Sequence, residues 1–196
     1  MSSVGSVTAW HEECDVLICG FGCAGASAAI EAYDTDPSAR ILVIDKAPEA
    51  FQGGNARVSG QSLLISKDAE ALKSYQRAMS LSNPIPEELL DDWARRMVGL
   101  EPWLQQIARD AGQEFLRGTG FSERDVVLEF PEFGAQAAVA YTATILPIPS
   151  GVWMALQANV EKRNIPVRFE TPLVDLIQDP DTLEVHGAWI ESGGTR

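Results

Sequence analysis

Residues 15–32 read Asp15-Val-Leu-Ile-Cys-Gly-Phe-Gly-Cys-Ala-Gly-Ala-Ser-Ala-Ala-Ile-Glu-Ala32. Val16, Leu17, Ile18 and Cys19 form an apolar run of strand length, suited to a strand buried on both faces. Gly20, Gly22 and Gly25 follow at G-x-G-x-x-G spacing, and the alanine-rich segment after them reads as helix. A side chain would obstruct each position for a different reason. Gly20 makes the tight turn out of the strand, Gly22 lets a pyrophosphate approach the backbone, and Gly25 lets the helix pack against the sheet. The free N–H groups and the dipole of that helix then face the phosphates.

The glycine pattern alone is weak; its surroundings decide. Arg40-Ile-Leu-Val-Ile-Asp45 reads as a second strand ending in an acid, 25 residues past Gly20. The usual spacing is nearer about 20, and the long link Tyr33-Asp-Thr-Asp-Pro-Ser-Ala39 accounts for the excess. A carboxylate there accepts hydrogen bonds from adenosine ribose hydroxyls and repels a 2′-phosphate. Strand, glycine turn, helix, strand and acid together describe a dinucleotide site. Downstream, Gly53-Gly-Asn-Ala-Arg-Val-Ser-Gly-Gln61 carries three glycines among short polar residues. It reads either as a backbone nest for a phosphate or a flavin edge, or as an ordinary surface loop.

Composition narrows the class. With 45% hydrophobic and 22% charged residues the 196-residue chain is globular and large enough to bury a core. A net charge of −13 and no basic cluster beyond pairs such as Arg95-Arg96 exclude nucleic acid as an expected partner. Cys14, Cys19 and Cys23 are odd in number and lack metal-ligand spacing, so no metal is expected and a reducing cytoplasm fits. Cys19 reads as a buried strand residue, and Cys23, at a helix start where the dipole could lower a thiol pKa, reads as a residue that fills a variable motif position. Ala135 to Ile148, the most apolar long region, is too short to span a bilayer and is broken by Pro147, so no membrane association is expected.

Residues 1–13 read as a leader and 14–196 as one domain. Helices are predicted from Lys67 to Ser80 with Asp68 as N-cap, from Pro86 to Val98 with Leu89, Leu90, Trp93 and Met97 inward, from Pro102 to Ala111, and from Ser150 to Arg163. Arg117 to Gln136 reads as loop with short strands. Strands at Val167–Phe169, Leu173–Gln178 and Leu183–Ile190 follow, with Asp179-Pro-Asp181 as a turn. No catalytic constellation emerges. His11 lies in the leader, His186 alternates with Glu184 in a predicted strand, and the acids Glu87, Glu88, Asp91 and Asp92 suit a helix start.

The combination GFGCAGASAAIEA, ILVIDK and GGNARVSGQ resembles FAD-dependent oxidoreductases of the fumarate reductase/succinate dehydrogenase flavoprotein superfamily, including tricarballylate dehydrogenase-like and 3-ketosteroid dehydrogenase-like enzymes. The likeness is dense over residues 14–66. It implies an α/β fold: a Rossmann-like FAD-binding domain, a parallel sheet with a β-meander and helical insertions, incomplete at the C-terminus. The GGN-x-x-x-SG segment, unlike plain nicotinamide domains, implies FAD; an NAD-dependent dehydrogenase stands as an alternative. By this likeness Gly20, Gly22, Cys23, Ala24 and Gly25 surround the pyrophosphate, Asp45 binds the ribose and Lys46 flanks the adenine end. Gly53, Gly54, Asn55, Ser59, Gly60 and Gln61 line the flavin half, and a backbone group near Val174 meets the adenine. Asn55 stands where membrane-complex relatives carry the histidine that bonds to flavin, which implies non-covalent FAD. In relatives the meander returns to the sheet, and the residues that hold a small-molecule substrate lie further on. The chain therefore reads as an amino-terminal piece of a flavoenzyme moving hydride to or from a carbon–carbon bond beside a carbonyl or carboxylate. The alternative is a truncated FAD-binding protein, inactive alone or dependent on a partner that associates through the incomplete sheet edge.

Overall fold

The computed structural model describes residues 2–3, 7, 9–60, 62–118 and 130–192. The chain divides into two compact units, one of residues 1–58 and 156–196 and one of residues 59–155.

The first unit is built on a parallel sheet. Strand β2 (Val16–Cys19) pairs with β3 (Ile41–Ile44) in register from Val16↔Ile41 to Cys19↔Ile44. Every residue of β3 is buried, as a strand covered on both faces requires. Helix α1 (Cys23–Thr35) presents Ala26, Ala29 and Ile30, each fully buried, at i, i+3 and i+4. Ile30 alone contributes about 1.5–3 kcal/mol by leaving water. Strand β7 (Val167–Arg168) adds to the other side of β3, again parallel. The sequence reading grouped Val167–Phe169 with the strands that follow; the structure places it in the parallel sheet instead. Pro166 explains how it begins: it lacks an N–H, but its carbonyl accepts from Val43 N–H at 3.0 Å. Arg163 reaches back from this connection to Asp34 in α1, with bonds of 2.7 and 2.8 Å.

A separate sheet of the same unit has the order β1-β8-β9. Strands β8 (Leu173–Gln178) and β9 (Val185–Ile190) form an antiparallel hairpin. Asp179 caps its turn by accepting from the N–H groups of Asp181 and Thr182. The segment read as a leader attaches here twice. Strand β1 (Ser2–Ser3) runs parallel to β8, and the Trp10 ring covers Gly187 so closely that a Cβ there would lie 2.5 Å from it.

The second unit contains the antiparallel sheet β4-β6-β5, formed by β4 (Leu63–Ser66), β5 (Phe115–Arg117) and β6 (Val139–Ile145). Its helices are α3 (Ala69–Ser80), α4 (Glu87–Val98), α5 (Leu100–Asp110) and the short α6 (Ala135–Ala138). Asp68 caps α3 through Ala71 N–H at 2.7 Å, as its position predicts. Leu72, Tyr75, Ala94, Ala135, Ala138 and Val139 form one core cluster, and Ile65, Leu104 and Ala143 another. Leu89, predicted inward, is 59% exposed. The buried stripe of α4 runs through Leu90 and Ala94, with Trp93 and Met97 half-buried against the cluster, and Leu89 lies a helical step to one side. The buried Lys73 ties α3 to α4 through Asp91 at 2.5 Å and pairs with Glu70 of its own helix at 2.8 Å, and the two carboxylates hold its pKa above the ordinary lysine value. Much of the Arg117–Gln136 stretch lies outside the described residues. Helix α7 (Gly151–Lys162) carries the boundary between the units and buries Trp153, Leu156 and Val160.

Candidate cofactor site

The turn between β2 and α1 is closed by backbone geometry that side chains would break. Gly20 has φ +106° and donates its N–H to Ile44 O at 2.7 Å. A Cβ on Gly25 would lie 1.8 Å from Gly20 O, so nothing larger than glycine lets the helix sit this close to the turn. Gly22 differs. It caps α1 in an extended conformation, and a Cβ there would meet only Gly53 O, at 3.6 Å. The protein's own packing therefore leaves room at Gly22. No side chain caps α1 and no acid lies in its first turn. Cys23 and Ala24 are exposed there. The leading N–H groups of a helix have no partners within it. This end of α1 suits an anion.

Asp45 follows β3 directly. Its carboxylate accepts from Phe21 N–H at 2.5 Å and from Ala47 N–H at 2.7 Å. Its backbone is held as well, donating to Arg168 O and accepting from Thr171 N–H, both at 2.8 Å. Lys46 beside it is exposed. Phe21, a variable position of the glycine motif and unremarked in the sequence, is the meeting point of three segments. Its carbonyl accepts from Gly53 N–H at 3.0 Å, and its ring, 2% exposed, packs against Phe169 with centroids 6.2 Å apart.

The Gly53–Gln61 segment was read as a nest or a loop. Gly53 and Gly54 do have positive φ, +96° and +50°, and Gly53 forms a parallel bridge with Gly22. Beyond them the chain is a single helical turn, α2 (Gly54–Val58), rather than a loop. Arg57 secures it by donating to Ala50 O at 2.5 Å, with its guanidinium 5.7 Å from the Phe51 ring centre. Asn55 is exposed on α2. Ser59 and Gly60 follow it, exposed, and belong to the second unit. Gln61 lies outside the described residues.

Val174 sits on β8 where the ladder slips. Leu173 pairs with Ile190 and Asp175 with Trp189, so Val174 falls between paired positions, 44% exposed. Cys19 departs from expectation: it is exposed, at the last position of β2. The Cys23 thiol is pushed up by desolvation, not lowered by the helix dipole. The Glu87 and Asp91 carboxylates pair with Arg77 and Lys73, and Asp92 with Arg95 and Arg96, which is structural work. His186 lies 3.9 Å from Glu184 at the surface. No group of three or more His, Cys, Asp or Glu among the described residues is arranged to hold a metal ion. None of the helices described is long and apolar enough to cross a membrane. A groove of about 460 Å³ opens at the opposite, N-terminal ends of β2, β3 and β7. Its arginines Arg40, Arg163 and Arg168 are held by Asp15, Asp34 and Glu12, so it competes poorly with the glycine turn as a phosphate site.

Comparison with known proteins agrees with this geometry. The family described as FAD binding domain matches residues 15–196. A fumarate reductase (cytochrome) of Shewanella frigidimarina is 27% identical over 174 residues, which is 86% of this chain and 28% of that protein. Among solved structures, a 3-ketosteroid-delta4-(5alpha)-dehydrogenase of Rhodococcus jostii RHA1, in complex with 4-androstene-3,17-dione, superposes with a TM-score of 0.69 at 21% identity over 98% of this chain and 45% of that one. A 3-ketosteroid delta1-dehydrogenase of Sterolibacterium denitrificans gives 0.68 at 14% identity, over 92% of this chain and 44% of that one. The chain thus spans under half the length of these relatives, and at such identities the structural likeness establishes the fold. The family match sets aside the nicotinamide alternative, and the open, acid-free start of α1 fits the FAD pyrophosphate. The chain belongs to the FAD binding domain family.

Proposed function

We propose that residues 14–196 are the FAD-binding portion of an oxidoreductase that transfers hydride between flavin and a carbon–carbon bond next to a carbonyl or carboxylate, with residues 1–13 as a leader. The observation that carries this is the junction at Phe21, where the glycine turn, the acid after β3 and the Gly53-Gly54 pair are bonded together. The names of the relatives supply the reaction class, since fumarate and 3-ketosteroids both place a carbon–carbon bond beside such a group. When bound, FAD supplies the hydride chemistry, and the chain supplies binding and orientation.

The start of α1, with Gly20, Gly22, Cys23, Ala24 and Gly25, holds the pyrophosphate. Asp45 and Lys46 serve the adenosine, and the slipped backbone at Val174 serves the adenine. Gly53, Gly54 and Asn55 serve the flavin half; Ser59, Gly60 and Gln61 are assigned to it from sequence alone. Asn55 offers no nucleophile for a bond to flavin, so FAD is held non-covalently. Substrate-holding residues belong to the part of the enzyme that this chain does not span, and the chain alone is inactive. Its three free thiols suit the cytoplasm. The test is the visible absorbance of the purified chain before and after acid precipitation. Flavin bands moving to the supernatant support the reading. Flavin kept in the pellet overturns the role given to Asn55, and a colourless chain that takes up no added FAD overturns the binding assignment. A second reading, a partner-dependent protein without activity of its own, rests on β2, whose outer edge is unpaired among the described residues.

A further inference from the structure

We infer that Asp45 acts on the cofactor chiefly through the glycine turn, as a positioning residue, and not only by receiving ribose hydroxyls. This rests on the FAD reading above. Both carboxylate oxygens of Asp45 already accept backbone N–H groups, one from Phe21 inside the turn and one from Ala47 beyond β3. Hydrogen bonds to an ionised acceptor are among the stronger ones a protein makes. The next peptide unit is gripped too, the Phe21 carbonyl accepting from Gly53 N–H. The Phe21 side chain offers no slack, being buried against Phe169.

The consequence concerns Gly22, the next residue. Its backbone is the start of α1, and its position follows from how the Phe21 peptide is set. Removing the Asp45 carboxylate frees the Phe21 N–H, leaving Phe21 held at its carbonyl alone, and lets the α1 amides drift from the geometry a pyrophosphate needs. A group held through a preorganised turn loses affinity when the turn loosens, whatever the ligand carries elsewhere. Each carboxylate oxygen keeps a further acceptor site, so ribose contact and turn positioning coexist. They differ in what their loss does.

The test uses the whole chain with two probes, ADP and its 2′,3′-dideoxy analogue, titrated into wild type, Asp45→Ala and Asp45→Asn. With positioning, Asp45→Ala weakens the analogue, which has no ribose hydroxyls, by about tenfold or more. Asn keeps one acceptor oxygen and falls between, and it carries the comparison if the alanine variant does not fold. Analogue affinity that stays at the wild-type level while ADP affinity drops overturns the inference and leaves a ribose contact alone. Amide hydrogen exchange at Phe21, followed without nucleotide, gives an independent readout. Faster exchange at Phe21 in the variant, with β3 amides unchanged, is expected, and equal rates overturn the inference. If the exchange responds but wild type binds neither probe, the FAD-binding reading fails, and the positioning role falls with it.

Discussion

At the scale of single residues, the glycine turn separates positions that the fold needs from positions it leaves open. Gly25→Ala drives a Cβ to 1.8 Å from Gly20 O. It is expected to lower stability by about 1–3 kcal/mol and to abolish FAD uptake, measured by denaturant titration and flavin absorbance. Gly22→Ala meets nothing nearer than 3.6 Å, so its stability should stay within about 0.5 kcal/mol of wild type while FAD affinity falls. Equal destabilisation by the two would contradict this division. Asp15 gives a pH prediction. Side-chain bonds from Arg40, and then Arg40 N–H, hold its carboxyl at about 2, below the ordinary 3.8. A depressed carboxyl stabilises the fold above its unfolded pKa and loses that contribution as pH falls toward the folded value. Asp15→Asn should therefore be less stable than wild type at neutral pH, with the gap closing between about pH 4 and pH 2 in acid-unfolding curves. Of these residues the glycines and Asp45 were legible because their spacing has a backbone cause. Phe21 was not, since nothing about its identity signals that its peptide joins three segments.

Among the elements, those with a distinct period or a punctuating residue were readable and the others were not. β2, β3 and α1 announce themselves through short apolar runs flanking the glycines. α3 is announced by the Asp68 cap. β6 passed unseen because Val139-Ala-Tyr-Thr-Ala-Thr-Ile145 mixes small and hydroxyl residues without alternation, and it is buried on both faces over Thr142–Ile145. α2 was hidden by its glycines, which signal a loop although their positive φ values serve only its entry. The attachment of the first residues to the β8–β9 hairpin depends on Trp10 lying over Gly187, a pairing no local pattern reveals. Gly187→Ala should dislodge that ring. The expected result is a red-shifted tryptophan component with a stability change of about 1 kcal/mol or less. An unchanged emission spectrum would show that Trp10 stays put.

For the whole molecule, the parallel sheet β2-β3-β7 keeps the outer edge of β2 unpaired among the described residues, with Cys19 exposed at its end. Such an edge templates strand addition. The purified chain should self-associate as concentration rises, in light-scattering mass measurements, and Cys19→Lys should shift it toward monomer; a wild-type chain that stays monomeric would rule this out. The same sheet sets an order of events during synthesis. β3 takes its second partner from β7, pairing Ile44 with Arg168, and residues 59–155 intervene as a unit of their own. A ribosome adding about 5–20 residues each second separates the two strands by roughly 6–25 s. The nascent chain therefore carries a half-sided, fully apolar β3 for seconds while the intervening unit emerges and folds. The parallel layer, whose first two strands precede the intervening unit in the sequence, takes its third strand only after that unit has been made.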